Sequence, residues 1–274
     1  MSSALQRCIV RAGISMSLCS KREIFASWAP RLLPRLRGFC SAHEASLTKP
    51  ASSSRKKSRV RQHVNPLTAM YQHPVSLGED WLRTHYENPQ LDFVIDVGCA
   101  RGTWCLKTAA SDGANKNFLG LDVRRPVVED ALARKERAAL GNVHFLASNA
   151  NVDLPRLLRD IAQLSRVSMI CIHHPDPLFK LRHKKRSVVT QQLVQDIASR
   201  TDSRCAVYLQ SDVPPAIQDM ADEFERSAAF EAAEGYSSET LADNPSPHAE
   251  RTEREASVLA QGLPIYRMLL VKKR

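Results

Sequence analysis

No stretch of this chain is apolar over the roughly 18 residues that crossing a bilayer takes, so no membrane-spanning helix is expected. Cysteine pairs are missing as well. The seven cysteines (Cys8, Cys19, Cys40, Cys99, Cys105, Cys171 and Cys205) contain no Cys-x-x-Cys, and their number is odd. This argues against a disulfide framework or a zinc ribbon and fits a reducing compartment. Cys171, inside an apolar run, reads as plain core. Acids are nearly absent from the first 61 residues, where Glu23 and Glu44 stand against 13 Lys and Arg. The remainder carries 26 Lys and Arg against 27 acids, so the formal charge of +10 belongs to the N-terminal stretch. Any nucleic-acid contact by the body must therefore rest on a local cluster, not on overall charge.

Residues 1–60 are rich in Ser, Ala, Leu and Arg, and Met1 to Arg22 holds four basic residues and no acid. That is the composition of an organellar transit peptide, whereas Arg11 and Lys21 break the apolar stretch a secretory signal needs. Ser52-Ser53-Ser54-Arg55-Lys56-Lys57 reads as a linker, which leaves 61–274 as one domain.

The body alternates. Strands are expected at 93–97, 117–121, 143–146, 168–172 and 205–209, with helices at 103–110, 126–140, 153–164, 188–199 and 215–228 between and after them. A last strand lies within 264–271. Strands separated by helices of this length predict an α/β fold, a doubly wound and mostly parallel sheet with helices on both faces. The last strand, after a long connection, is expected antiparallel at the edge.

In such a sheet the ligand sits beyond the carboxyl ends of the strands. Phe93-Val94-Ile95-Asp96-Val97-Gly98-Cys99-Ala100-Arg101-Gly102 runs a strand into a short glycine-bounded turn. The turn lacks the lysine and hydroxyl of a phosphate-cradling P-loop and is shorter than the dinucleotide fingerprint. Asp122 ends the second strand, where an acid binds ribose hydroxyls, and Asn149 ends the third, placed to read an adenine edge. Together they describe an adenosine-type ligand.

The fourth strand ends in His173-His174-Pro175-Asp176-Pro177, followed by Lys180, Arg182, Lys184, Lys185 and Arg186. The two prolines stiffen the backbone around Asp176. The cations suit phosphate contacts, which give affinity without reading sequence. His173, His174 and His183 have no Asp, Glu or Cys companion at zinc spacing, so no metal is expected.

Asp-x-Gly-Cys-x-x-Gly, the Asp122/Arg124 pair, and Pro-Asp-Pro before Lys-x-Arg-His-x-Lys-Arg resemble the tRNA (guanine-N7-)-methyltransferase family. Arg61 to Leu67 is similar to the lead-in of its bacterial-type members, and Thr252-Glu253-Arg254-Glu255 with Gly262 to Tyr266 to its Thr-x-x-Glu motif and closing strand. The likeness spans residues 61–273. It implies a class I, Rossmann-like methyltransferase domain, S-adenosylmethionine as methyl donor and a guanosine of the tRNA variable loop as acceptor. By the same resemblance the donor site takes Asp96, Gly98, Asp122, Arg124, Asn149 and Ala150. Asp176 is the catalytic aspartate, and Lys180, Asp212, Thr252 and Glu255 serve the acceptor. Arg182, Lys184, Lys185 and Arg186 are expected to hold the RNA backbone.

The chain departs from the family pattern at Asp96 (often Glu), Ala100 (often Gly), His174 (usually apolar) and Leu178 (often aromatic). The resemblance to bacterial-type members favours a chloroplast over a mitochondrion. It also argues against an obligate protein partner, although eukaryotic cytosolic relatives act with a β-propeller subunit. Two rival readings are a methyltransferase of this fold acting on another RNA or on protein, and a non-catalytic RNA-binding subunit.

Overall fold

A computed structural model describes residues 64–112, 115–177 and 185–273. The transit peptide and linker expected at 1–60, and Lys180, Arg182 and Lys184 of the basic cluster, lie outside the described residues.

Helix α1 (Trp81–His85) leads into β1 (Phe93–Val97), which is buried at every position. The chain then alternates through α2 (Thr103–Ser111), β2 (Asn117–Asp122), α3 (Arg125–Ala138), β3 (Val143–Ala147), α4 (Ala150–Ala162), β4 (Val167–His173), α5 (Gln191–Arg200), β5 (Ala206–Ser211) and α6 (Pro214–Arg226). It closes with β6 (Phe230–Ala232), α7 (Glu253–Leu259) and β7 (Tyr266–Lys272). The seven strands are ordered β3-β2-β1-β4-β5-β7-β6. Five run parallel, and β7 is antiparallel to both β5 and β6. The expected antiparallel closing strand is present, one position in from the edge. The edge itself belongs to β6, whose three residues are too few to show an alternating pattern.

Capping explains where helices begin. Asn149 accepts from Asn151 N at 3.1 Å, so α4 starts three residues earlier than its apolar pattern suggests. Thr190 accepts from Leu193 N at 3.1 Å and delays α5 to Gln191. Prolines sit in the first turns of α3 and α6, where their missing N–H has no intrahelical partner to lose.

Two apolar layers flank the sheet. On one face Phe93 and Ile95 meet Trp81, Leu154, Leu157, Leu158, Ile161 and Phe224. On the other, Val94 meets Trp104, Phe118, Phe145, Cys171 and Tyr208. Each large side chain buried this way contributes about 1.5–3 kcal/mol. Because β1 lies between β2 and β4, the crossovers diverge on either side of it, which opens a crevice at the strand ends.

Candidate active site

That crevice is a cavity of about 900 Å³. One wall is made by Val97, Gly98, Asp122, Arg124, Asn149 and Ala150, and the other by His173 to Pro177, Arg186 and the face of α6. Pockets for small molecules run to about 300–1,000 Å³, and this one lies near the upper end of that range.

The glycine turn is a run of left-handed residues. Gly98 (φ 88°), Ala100 (φ 48°) and Gly102 (φ 66°) alternate with ordinary ones. Gly98 N and Cys99 N both donate to Leu121 O, at 2.8 and 3.0 Å, and Ala100 N donates to Asp122 Oδ2 at 3.1 Å. The backbone is thereby drawn across the end of β2. Nothing lies within 4 Å of where a Gly98 Cβ would be, so that face is open to a ligand. At Gly102 a Cβ would meet the Phe145 ring at 2.4 Å.

Asp122 is buried and accepts four hydrogen bonds. Besides Ala100 N, these come from Arg124 N (2.8 Å), Nε (2.9 Å) and Nη2 (2.7 Å). The bond to Asp122 pushes the Arg124 guanidinium up against the pull of burial, and the charge of Asp176 adds to the effect. Arg124 thus feels both the carboxylate it bonds and the one flanked by prolines. Asp176 itself is exposed on the cavity wall.

Two donor-site expectations change in role. Strand alternation turns Asp96 away from the face shared by Ile95 and Val97. Its buried carboxylate meets His173 Nδ1 at 3.0 Å and accepts from Cys105 Sγ at 3.5 Å, and it does not line the cavity. Asn149 does line it, but both amide hydrogens are committed elsewhere, to Pro66 O (3.3 Å) and Tyr71 O (3.1 Å). Its carboxamide holds a strap whose start, Val64 to Pro66, lines the cavity, instead of presenting a free edge to adenine. The same strap is fastened by Asp153 Oδ1, which accepts from Val75 N at 3.0 Å, and by Arg156, which donates to Val75 O at 2.7 Å.

The acceptor-side expectations Asp212, Thr252 and Glu255 come together but stand outside the cavity lining. Thr252 Oγ1 caps α7 by accepting from Glu255 N at 3.1 Å. Glu255 is buried against Arg267 Nη2 at 2.8 Å. Burial would raise the Glu255 carboxyl, but bonds from Arg267 and Gln210 outweigh it and hold it below its ordinary value. Asp212 is likewise held low, its burial outweighed by bonds from Arg254 and His174.

His174 links these groups to Asp176. It takes a left-handed backbone (φ 46°) ahead of Pro175. Tyr208 OH donates to Gln210 Oε1 at 2.6 Å, so the Gln210 amide donates to His174 Nε2 at 2.8 Å. His174 Nδ1 then carries the proton and gives it to Asp212 Oδ1 at 3.0 Å. An apolar residue at this position could not make these bonds.

Sequence reasoning missed Asp219, Glu223 and Arg226, which bring α6 to the cavity wall. Their i, i+4 and i+7 spacing was the available signal. Of the cationic cluster, Arg186 lines the cavity and Lys185 is exposed beside it.

Residues 90–268 match a family model described as "Putative methyltransferase". Curated relatives named tRNA (guanine-N(7)-)-methyltransferase include those of Thermosynechococcus vestitus and Trichormus variabilis. The first is 42% identical over 76% of this chain and 92% of its own length. The second is 42% identical over 77% and 94%. That of Synechococcus elongatus is 39% identical over 78% of this chain and 97% of its own length.

Proposed function

The chain belongs to the tRNA (guanine-N7-)-methyltransferase family, and from that premise we propose that its cavity methylates N7 of a guanosine in the tRNA variable loop. S-adenosylmethionine supplies a methyl group on a sulfonium, which is already an activated leaving group. Guanine N7 bears a lone pair and no proton at neutral pH, so the chain need not provide a general base. Its contribution is alignment, which in well-oriented reactions lowers the barrier by about 7–11 kcal/mol.

The open face at Gly98 and the Asp122 carboxylate hold the donor. Every lone pair of Asp122 is already engaged, so ribose hydroxyls must displace some of the Arg124 bonds. Asp176 accepts from the N–H groups of the guanine Watson–Crick edge and favours the positive charge that grows on the ring. Lys185 and Arg186 grip the RNA backbone at the rim. The acid-poor start and the cyanobacterial relatives support a chloroplast address, and the chain acts without an obligate protein partner.

The observation that carries this reading is Asp176, between two prolines on the cavity wall, with Arg124 joining its field to Asp122. Purified protein incubated with unmodified tRNA and the donor should yield one N7-methylated guanosine in the variable loop, mapped by reduction and strand scission. Asp176→Ala should lower turnover at least about a hundredfold while calorimetric donor affinity stays nearly unchanged. Loss of donor binding in that variant would place Asp176 on the wrong side of the reaction. Methylation of protein or of another RNA in preference to tRNA would overturn the acceptor.

A further inference from the structure

Next to the cavity, and sharing His173 with its wall, a second cluster of reactive side chains lies on the sheet face that carries Trp104 and Phe145. Cys171 and His173 stand two apart on β4 and so project to one side. His248, from the segment ahead of α7, comes to meet them. The Cys171 sulfur and one ring nitrogen from each histidine all lie within 4.8 Å of one another. Cys171 Sγ is 3.6 Å from His248 Nε2. A sulfur and a nitrogen bound to one tetrahedral zinc, at about 2.3 and 2.0–2.1 Å, stand about 3.5 Å apart. That edge already has the spacing of two ligands.

The surroundings agree. His173 Nδ1 lies 3.0 Å from the buried carboxylate of Asp96. A proton donated there leaves the Nε2 lone pair for an ion, the usual arrangement of carboxylate, imidazole and metal. Trp104 packs edge-on against His173 and His248, with centroids 4.7 and 4.8 Å away, and Tyr208 lies 5.7 and 5.0 Å from the same rings. The rings are held in place by aromatic walls. Charge closes as well: a thiolate and the Asp96 carboxylate balance a divalent cation in a place where unpaired charge is costly.

We propose that Cys171, His173 and His248 bind a zinc ion, with Asp96 orienting His173 and a water in the fourth position. Thiolate and imidazole together suit zinc among the common divalent ions. Binding releases the Cys171 thiol proton to solvent as the sulfur–zinc bond forms. The ion ties β4 to the segment that leads into Thr252 and Glu255, alongside the bond from Trp104 Nε1 to Glu250 O at 3.1 Å. No local spacing in the sequence shows such a site, because its third ligand comes from 75 residues beyond His173.

The test uses the full chain, untagged by histidine and purified under reductant without chelator. Mass spectrometry of the metal should find about one zinc per chain. Protein stripped of metal and titrated with cobalt(II) should develop a sulfur-to-cobalt charge-transfer band and four-coordinate visible absorption. Cys171→Ser should lose the charge-transfer band, and His248→Gln should weaken cobalt binding at least about tenfold, both with an unchanged far-ultraviolet spectrum. Trace zinc and no charge-transfer band in the unmutated protein would overturn the site, leaving an S–H···N hydrogen bond in its place. A band that survives Cys171→Ser would overturn it too, by assigning the metal to another cysteine. The spectrum of the unmutated protein decides the matter even if a variant fails to fold.

Discussion

Gly102→Ala should be among the more damaging single-methyl additions this chain can suffer, and its cost divides into two parts. Gly102 is left-handed (φ 66°), a conformation that costs a residue with a Cβ about 1–2 kcal/mol. The new methyl would also stand 2.4 Å from two atoms of the Phe145 ring and 3.1 Å from Ala131 Cβ. Phe145 is 1% exposed, and its ring also packs so closely on Gly120 that a Cβ there would stand 2.5 Å from it. Forcing a methyl into such packing costs about 1–3 kcal/mol. The total is about 2–5 kcal/mol, a large share of the stability of an ordinary domain. Phe145→Leu makes room for the methyl. In that background Gly102→Ala should cost only the backbone part, about 1–2 kcal/mol. Urea unfolding of the four proteins, with donor affinity by calorimetry, gives the coupling between the two sites. Additivity within about 0.5 kcal/mol would refute the packing argument, as would a neutral Gly102→Ala.

Other expectations follow from the same geometry. Ala139 ends α3 in a left-handed conformation (φ 49°), so Ala139→Gly should raise the urea midpoint by the equivalent of about 1 kcal/mol with an unchanged slope. His144 is pulled down to about 3, first by burial and then by His85 and Lys135. The unfolded chain therefore takes up its proton first. Stability should fall as pH drops from about 6.5 towards 3, by up to about 1.4 kcal/mol per unit, and this acid limb should flatten in His144→Gln. Neutralising Lys185 and Arg186 to Gln should weaken tRNA binding and shallow its salt dependence by about 0.7–0.9 for each phosphate no longer neutralised. An unchanged slope would place those side chains off the RNA path.

Some of this architecture was legible in the sequence for plain physical reasons. A strand covered on both faces must be apolar throughout, so β1 and β2 announce themselves, and in a parallel sheet the carboxyl ends of such strands locate the crevice. Gly98, Asp122, Arg124 and Asp176 were accordingly found at the cavity wall. Asp96 was expected at the donor, whereas alternation puts it on the opposite face from Ile95 and Val97, outside the cavity lining. A turn motif drew attention to the residue type and away from its direction. Asn149 also sits where expected, but a carboxamide gives no sign in the sequence of which partner will claim it, and the claimant lies about 80 residues upstream. Helix α7 escaped the element reading because Thr-x-x-Glu is both a family motif and a capping signal. Here Thr252 caps while Glu255 turns to Arg267. The meeting of His248 with Cys171 was beyond any local pattern.

The strap that Asn149 and Asp153 fasten beside the cavity has a practical corollary for where this protein can be cut. A chain beginning at Leu77 would keep every strand and every α-helix, Trp81 and both apolar layers included. It would nevertheless forfeit the carbonyls of Pro66 and Tyr71 and the amide of Val75, removing these partners from Asn149 and Asp153. Such a truncate would lack Val64, Asn65 and Pro66 from the lining of the cavity. The stretch from 64 to 75, which contains no regular element longer than three residues, is better counted with the candidate site, whose wall it begins, than as a leader to it.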